Sequence, residues 1–355
     1  MPAFLKNEWT TFVISLLASA LTGSLLFSGA NSVLTFAIGA VALSTLATVV
    51  GHATEQLGNY MGPGATGVLQ SAIGNLPELF VAFFALQAGL ITVVQSALVG
   101  SILANSLLVL GLAFFFGGWK HGTQKFKSET PRAIAILMVL AVSALVFPTL
   151  AHAMHLPAEA HEGSLSVASA IVLLVVFFAS IPLSLQGGPI VEAGHVAEHK
   201  EKPWPISRVV IILLIAGGMA AFVSDWFVQA LEPAIEMMGI SQAFAGLVIV
   251  AIAGNAVENV VGIQLALKNK ADYAISVILN SSLQIALALT PILVLLSFFF
   301  TSTVLTLVLP PLLVVALLLT AILSALIVYD GESNWLEGVA LIGLYAIIAM
   351  SFWWG

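Results

Sequence analysis

The sequence predicts an all-α polytopic membrane protein with about eleven transmembrane helices, and three observations support this fold class. Of the 355 residues, 60% are apolar and only 8% are charged, whereas soluble domains carry about 25% charged residues. Apolar stretches of about 20 residues, each long enough to cross a hydrocarbon core of roughly 30 Å, recur along the whole chain. Polar connections separate them at regular intervals.

The stretches predict the spans in chain order. The first span follows a lone Lys6 and is longer than the apolar core of a signal peptide. It is predicted at 9–28, and the next five at 32–58, 66–89, 92–117, 130–151 and 164–187. The seventh is over-long, which predicts a tilted or broken helix. It lies at 206–237, and the last four lie at 243–267, 273–299, 303–328 and 335–354.

The basic residues predict the orientation of the chain. All fall in or beside connections on one side of the predicted membrane: Lys6, Lys120, Lys125, Lys127, Arg132, Lys200, Lys202, Arg208, Lys268 and Lys270. By the positive-inside rule that side is cytoplasmic, so the N-terminus is inside and the C-terminus outside. The opposite connections are expected to hold His152, His155, Glu159, His161, Glu162, Asp330, Glu332 and Glu337. The histidines at 152–162 are possible transition-metal ligands, with a solvated loop as the simpler interpretation.

A short motif occurs twice, at 74-GNLPE-78 and 254-GNAVE-258, with a constant shift of 180 residues. The shift carries the third span onto the eighth. Because five spans separate the copies, the copies must cross the membrane in opposite directions, which is typical of secondary transporters. The predicted organisation is an N-terminal segment with the first helix (1–31), a first inverted repeat (32–187), a cytoplasmic linker (188–204) and a second repeat (205–355).

Acidic residues lie inside the predicted spans, but every Lys and Arg lies in or beside a connection. These acids are Glu55, Glu78, Asp225, Glu232, Glu236 and Glu258. An ionised carboxylate at the centre of a membrane helix costs roughly 2.5 to 3.5 kcal/mol, so protons or cations from solution are needed to neutralise them. Such a protein exchanges cations for protons. The competing interpretation is a protonated carboxyl that serves as a hydrogen-bond donor between helices.

The residues around these acids favour a hard cation. Asn75 and Glu78 are three residues apart, which places an amide oxygen and a carboxylate on one helix face. Pro77 is expected to bend that helix and free the carbonyl of Ile73. Six to eight such oxygens suit Ca²⁺ better than Mg²⁺ or Zn²⁺. Further oxygen ligands in the motifs and in the spans that follow them are Asn255, Ser101, Asn105, Asn280, Ser281, Ser282 and Gln284.

Two inverted Gly-Asn-x-x-Glu copies, each followed by a Ser-bearing span, resemble the calcium/cation antiporter superfamily, and within it the cation/proton (H⁺/Ca²⁺) exchanger branch. The resemblance covers the chain from about residue 32 onward. It implies antiport of Ca²⁺ for H⁺ by alternating access. Glu78 and Glu258 are expected to bind the ion and accept protons, with help from Asn75, Asn255, Ser281 and Gln284. A role in the access path or proton relay is expected for Glu55, His52, Asp225, Glu232 and Glu236.

Alternatives remain for the coupling ion and for the class of protein. Gly-Asn in both copies favours protons, whereas Leu76-Pro77 and Asn259 depart from the proton branch and keep a Na⁺/Ca²⁺ exchanger or a Mn²⁺ antiporter open. The chain has no Cys, so no thiolate metal site or catalytic cysteine exists, and no intramembrane-protease motif is present. No enzyme activity, resident cofactor or nucleic-acid partner is expected. The expected partners are the transported ions and the lipid bilayer, in a prokaryotic cytoplasmic membrane.

Overall fold

A computed structural model describes residues 8–58, 60, 73–185, 204–301 and 303–354 of the chain. The description excludes the side chains of Glu8, Gly58, residues 182–185, Val257 and Glu258. Most of the predicted linker (residues 188–203) and the start of the predicted third span (residues 66–72) lie outside the described residues.

The described residues form long helices, since a backbone in hydrocarbon must satisfy its own hydrogen bonds. In chain order these are α1 (Glu8–Phe27), α2 (Ser32–Gly58), α3 (Leu76–Gln87), α4 (Ile91–His121), α5 (Glu129–Ala153), α6 (Glu162–Leu185), α7 (Ile206–Met238), α8 (Gln242–Gly254), α9 (Ala256–Leu267), α10 (Ala271–Phe300), α11 (Pro311–Ile327) and α12 (Trp335–Ser351). A 3₁₀ turn (Pro157–His161) precedes α6, and two short strands, β1 (Gln124–Lys125) and β2 (Glu332–Ser333), pair antiparallel.

The helices confirm an integral membrane protein. Within the described residues, seven helices are long and apolar enough to cross a membrane, or eight if α8 and α9, which meet at 62°, make one span. Three further helices, α3, α11 and α12, are apolar but shorter.

Of the two forms expected for the seventh span, tilted or broken, the broken one is excluded, since α7 is one continuous helix of 33 residues although Pro233 lies inside it. One other span prediction was wrong in detail. The predicted span 303–328 is helical only from Pro311, because Pro310 and Pro311 stop the helix from extending backward. The non-helical connection before it is held by buried side chains. Gln95 Nε2 donates to the carbonyls of Thr306 and Val308 at 3.1 and 2.9 Å.

Both copies of the motif break a helix at Asn. Asn75 and Asn255 have φ of −90° and −104°, and each lies immediately before the next helix, α3 or α9. The backbone hydrogen bonds of the next helix begin at these two residues. The carbonyls of Asn75 and Asn255 accept from the amides of Leu79 and Asn259 at 2.9 and 3.1 Å. Pro77 lies in the first turn of α3, next to the first break, whereas the second break has no proline, so a proline is not required for a break at the motif Asn.

The two motif regions have matching element bounds. Adding 180 to the bounds of α3 (Leu76–Gln87) gives those of α9 (Ala256–Leu267). The same shift carries the π-helical stretch in α4 (Ala104–Val109) onto the one in α10 (Ile285–Leu289) within one residue. It also carries the C-terminal residue of α2, Gly58, onto Met238 of α7.

One end of the molecule holds the Lys and Arg residues that the structure describes, and it is named the basic end. There, β1 pairs with β2, and Lys125 Nζ lies 3.0 Å from the carboxylate of Glu332. Arg132 donates to the carbonyl of Tyr329 at 2.8 Å. The 328–334 connection, including Asp330, therefore lies beside the lysines, and its predicted placement on the opposite side was wrong. A count of eleven spans also requires this placement. The connection between the fourth and fifth spans and the connection between the tenth and eleventh are separated by an even number of spans, so they lie on the same side of the membrane.

The other end of the molecule, named the opposite end, lies where α5 finishes. Thr149 donates to the carbonyl of Leu307 at 3.0 Å, and Ser166 accepts from the Leu307 amide at 2.9 Å. The end of α7 also lies there, where Gly239 closes the helix with φ of +64°, a conformation that glycine adopts readily.

Small residues let α4 and α8 touch through their backbones. A Cβ added to Gly100 would lie 2.3 Å from the carbonyl oxygen of Leu247, and one added to Gly246 would lie 2.4 Å from that of Val93. Membrane helices approach this closely only where side chains are small. The contact fixes Ser101, the neighbour of Gly100, against the end of α8.

Candidate ion-binding site

Polar side chains from four helical segments meet in the interior of the molecule. α3 contributes Glu78, α4 contributes Ser101 and Asn105, the break between α8 and α9 contributes Asn255, and α10 contributes Ser281. All five are buried, with Glu78 6% exposed and Asn255 1% exposed. The helix breaks make this possible, because they turn short polar side chains out of the helix wall and toward one another.

Glu78 accepts hydrogen bonds from neutral donors. The Ser101 hydroxyl donates to Glu78 Oε1. Asn255 Nδ2 donates to the same oxygen at 3.3 Å and to Ser101 Oγ at 2.9 Å. Glu78 also lies in the first turn of α3, where the positive end of the helix dipole stabilises negative charge. Gly254 gives the carboxylate room, since an added Cβ there would stand 3.5 Å from Glu78 Cγ.

The amide oxygen of Asn255 faces a second group of donors. Asn105 Nδ2 donates to Asn255 Oδ1 at 3.4 Å and to Ser281 Oγ at 3.0 Å. The Ser281 hydroxyl lies 3.5 Å from the same Asn255 oxygen. Asn255 therefore joins the Glu78 side of the site to the Ser281 side.

Asn75 makes the matching contact from the first motif. Its Nδ2 donates to Gln284 Oε1 at 3.4 Å, and both side chains are partly buried. Gln284 stands one residue from the position that a shift of 180 assigns to Asn105. Each motif Asn is thus bonded to an amide side chain from the other half of the chain.

The structure brings together seven of the eight residues predicted to bind the ion. They are Glu78, Ser101, Asn105, Asn255 and Ser281 in one network and Asn75 with Gln284 beside it. Glu258 belongs to the first turn of α9, and its side chain lies outside the described residues.

Sequence reasoning missed some polar contacts around the site. Ser44 of α2 donates to the carbonyl of Ala253 at 3.1 Å, just before the break at Asn255. Ser106 and Ser282 place their hydroxyl oxygens 2.9 Å apart between α4 and α10. The 180-residue repeat could have pointed to Ser44, because it pairs this serine with a second serine, Ser224 of α7. Nothing in the sequence pairs Ser106 with Ser282.

The acids predicted for the access path lie outside this network. Glu55 is exposed near the end of α2, and Glu232 and Glu236 are exposed in the last turns of α7. Asp225 is half-buried and accepts a hydrogen bond from Gln229 at 2.8 Å.

His52 lies toward the basic end, away from the site. It lines a cavity of about 550 Å³ between α1, α2 and α7, together with Trp9, Trp204 and Arg208. Most of the other lining residues are apolar. This position favours a packed histidine over a partner of the central network.

The donor set indicates which class of ion would suit the site. Carboxylate, hydroxyl and amide oxygens converge, with no sulfur and no imidazole among the seven residues. Oxygen-only sets suit hard cations such as Ca²⁺. The Lys and Arg side chains of the described residues lie in connections or terminal turns at the basic end, so they do not provide the charge balance for a buried carboxylate here.

Comparison with known proteins places the chain in a family. Residues 31–186 and 208–354 match the family described as sodium/calcium exchanger protein. The Ca(2+)/H(+) antiporter ChaA of Bacillus subtilis is 36% identical over 326 residues, covering 90% of this chain and 92% of ChaA. The Ca(2+)/H(+) antiporter of Aphanothece halophytica is 34% identical over 333 residues, covering 89% of each chain.

A solved structure agrees with these sequence relatives. The structure of native YfkE, which is 32% identical, superposes with a TM-score of 0.81 and covers 97% of this chain and 99% of its own. The resemblance found in the Gly-Asn-x-x-Glu motifs is thereby confirmed. The chain belongs to the sodium/calcium exchanger protein family, in its branch of cation/proton exchangers.

Proposed function

We propose that the protein is a secondary active antiporter that exchanges Ca²⁺ for H⁺ across a membrane by alternating access. The observation that carries the proposal is a buried carboxylate, Glu78, held by hydroxyl and amide donors within an oxygen-only site. The relatives named as Ca(2+)/H(+) antiporters support the same ion pair and favour a transporter over an enzyme.

The exchange follows from competition for the same oxygens. A proton on Glu78 removes its charge, and the donors Ser101 and Asn255 are compatible with either form of the carboxyl. Ca²⁺ releases that proton and takes the carboxylate, with Glu258 as the second acid and Asn75, Asn105, Asn255, Ser101, Ser281 and Gln284 as neutral partners. The negative charge of the site is neutralised either by protons or by Ca²⁺, so the movement of one ion is coupled to the movement of the other.

The proposed architecture has eleven spans, with α2 to α6 forming one inverted repeat and α7 to α12 the other. The seven long helices, the bent pair α8 and α9, and the three shorter apolar helices together make eleven. The shared bounds of α3 and α9 support the repeat. Asn255 in the second break donates to Glu78, which follows the first break, and broken helices are typical of the substrate sites of inverted-repeat transporters.

The proposed location is a prokaryotic cytoplasmic membrane, with the basic end in the cytoplasm. The positive-inside rule supports this orientation, which leaves the N-terminus inside and the C-terminus outside. The bacterial source of ChaA agrees with such a location.

Leu76-Pro77 and Asn259 kept a Na⁺/Ca²⁺ exchanger open at the level of sequence, but the relatives named as Ca(2+)/H(+) antiporters favour the proton as the coupling ion. A Mn²⁺ antiporter differs only in the preferred divalent ion and uses the same oxygens.

Reconstitution into liposomes tests the proposal. Ca²⁺ flux is followed under an imposed pH gradient or an imposed Na⁺ gradient, each with the membrane potential clamped. We expect only the pH gradient to drive Ca²⁺. Flux driven only by Na⁺ would overturn the choice of coupling ion. Competition by Mn²⁺ in the same vesicles measures the divalent preference.

A further inference from the structure

The connection between α5 and α6 gathers three metal-ligating side chains at the opposite end of the molecule. His152 lies in the last turn of α5, Glu159 in the 3₁₀ turn, and Glu162 at the start of α6. One nitrogen or oxygen atom from each of the three lies within 4.8 Å of the others. This is a different place from the central site, which lies inside the helix bundle.

The cluster has specific contacts. His152 Nδ1 lies 2.5 Å from Glu162 Oε1 and 3.4 Å from Glu159 Oε1. His155 Nδ1 lies 3.1 Å from the other Glu159 oxygen, Oε2. One imidazole thus faces two carboxylates, and a second imidazole orients one of those carboxylates. Such an outer partner is a common feature of metal sites in proteins.

The surrounding charge favours a cation. Between Arg132 and Lys200 the sequence has no Lys or Arg, so histidines are the basic side chains closest in sequence to Glu159 and Glu162. The carboxylates lie at the end of the molecule away from the basic connections. Two carboxylates and a neutral imidazole leave net negative charge, which a divalent ion balances.

The ligand chemistry selects the class of ion. An imidazole nitrogen with carboxylate oxygens is typical of Zn²⁺ sites, whereas Ca²⁺ takes oxygen ligands. Ligand atoms around a tetrahedral Zn²⁺ lie about 3.3 to 3.6 Å apart, for bonds of about 2.0 to 2.2 Å. The distance between His152 and Glu159 matches this spacing. The pair His152 and Glu162 must open by roughly 1 Å to reach it, and both side chains are partly exposed and able to move.

We infer that His152, Glu159 and Glu162 form a binding site for a transition-metal ion of the Zn²⁺ class, with His155 as the residue that orients Glu159. The ion binds Nδ1 of His152 in place of the hydrogen bond to Glu162, and the single proton of the neutral imidazole is then carried on Nε2, so the ring stays neutral. Binding joins the end of α5 to the start of α6. The site is independent of the proposed antiport.

Isothermal titration of the purified, chelator-treated protein with Zn²⁺ alone tests the inference. We expect a saturable Zn²⁺ site in the wild type and at least a tenfold weaker one in His152→Gln and Glu162→Gln. His161→Gln is the matched control, because it changes an exposed histidine of the same connection outside the cluster. Glu78→Gln alters the central site alone and is expected to retain this Zn²⁺ binding, so the inference and the antiport are tested separately.

Several results would overturn the inference. They are equal Zn²⁺ affinity in the wild type and His152→Gln, an equal loss in His161→Gln, and loss of the site in Glu78→Gln with retention in His152→Gln. Tighter binding of Ca²⁺ than Zn²⁺ at the same site would also do so. Thermal unfolding without metal establishes that each variant is folded, and Glu159→Gln replaces any variant that is not. Co²⁺ supplies a second readout, since its visible absorption reports the ligands directly.

Discussion

At the residue scale, Glu78 combines a titratable carboxyl with neutral neighbours. Ser101 and Asn255 donate to it from α4 and from the break between α8 and α9, so two other elements determine its position. A glutamine has nearly the same shape and accepts the same hydrogen bonds through its amide oxygen. It carries no negative charge and takes no proton, which separates the structural role of Glu78 from its ionic role.

We therefore expect Glu78→Gln to fold normally and to lose Ca²⁺ transport by at least about tenfold, equivalent to ~1.4 kcal/mol. The measurement is radioactive Ca²⁺ uptake by liposomes under a pH gradient. Glu129→Gln is the control, since this glutamate is exposed at the start of α5 and belongs to no predicted site or path. Equal uptake by wild type and Glu78→Gln would show that this carboxyl does not carry the ion.

The sequence predicts Glu78 and the motif asparagines because their chemistry is unusual inside a membrane and because it occurs twice. It does not predict that Asn105 bonds to Asn255 and Ser281, because these residues lie far apart in the chain and only packing brings them together. The contact of Ser44 with Ala253 cannot be predicted for the same reason. A serine in a membrane helix ordinarily bonds its own helix, and Ser44 does so while also reaching Ala253.

At the element scale, the site depends on how closely α4 and α8 approach. A methyl group at Gly100 would meet the backbone of Leu247, which has no flexible side chain to move away. Ser101, next in sequence, would shift with α4. The helix contact and the position of a predicted ligand are therefore coupled.

Gly100→Ala is expected to destabilise the protein by about 1 to 3 kcal/mol and to lower Ca²⁺ transport, because the two helices must separate. Thermal unfolding and liposome uptake measure the two effects. Gly217→Ala is the matched control, since nothing lies within 4 Å of a Cβ added there. If both variants unfold at the wild-type temperature, the backbone contact does not limit stability.

α2 and α7 occupy equivalent places in the proposed repeats, and their serines at 44 and 224 make different contacts. Ser44 donates to the carbonyl of Ala253, whereas the buried Ser224 hydroxyl has no hydrogen-bond partner within the described part of the chain. Alternating access exchanges the conformations of the two repeats. In the opposite-facing state we expect Ser224 to bond near Ile73, the equivalent of Ala253, and Ser44 to lose its bond.

Ser44→Ala is therefore expected to disfavour the state described here, and Ser224→Ala to favour it, each by about 1 kcal/mol or roughly fivefold in population. The chain has no Cys, so a single cysteine at Ala256, beside the site, reports accessibility from each side of the membrane. The two variants should shift its labelling in opposite directions. Shifts in the same direction would contradict the exchange of conformations.

At the scale of the whole molecule, most span positions follow from hydropathy alone. The prediction 130–151 compares with α5 at Glu129–Ala153, and 335–354 with α12 at Trp335–Ser351. Hydropathy did not predict the breaks at Asn75 and Asn255, because one polar residue hardly changes the mean hydropathy of a span. It also included the residues before Pro311 in a helix, although Gln95 and Thr149 hold them as an irregular connection.

The proposed orientation predicts which connections face the cytoplasm. In intact cells, a membrane-impermeable thiol reagent should label His161→Cys, in the connection at the opposite end, but not Lys125→Cys at the basic end. Lys125→Cys should react after the cells are opened. The reverse pattern would place the basic end outside and contradict the assignment from the positive-inside rule.

The central claim is that one set of carboxylates holds either protons or Ca²⁺, and proton release on Ca²⁺ binding tests it most directly. Purified protein in a weakly buffered solution near neutral pH is titrated with Ca²⁺, and the protons released are counted. The account predicts release with each Ca²⁺ bound, and a smaller release per ion bound in Glu78→Gln. Ca²⁺ binding with no proton release in the wild type, or with undiminished release in Glu78→Gln, would contradict it.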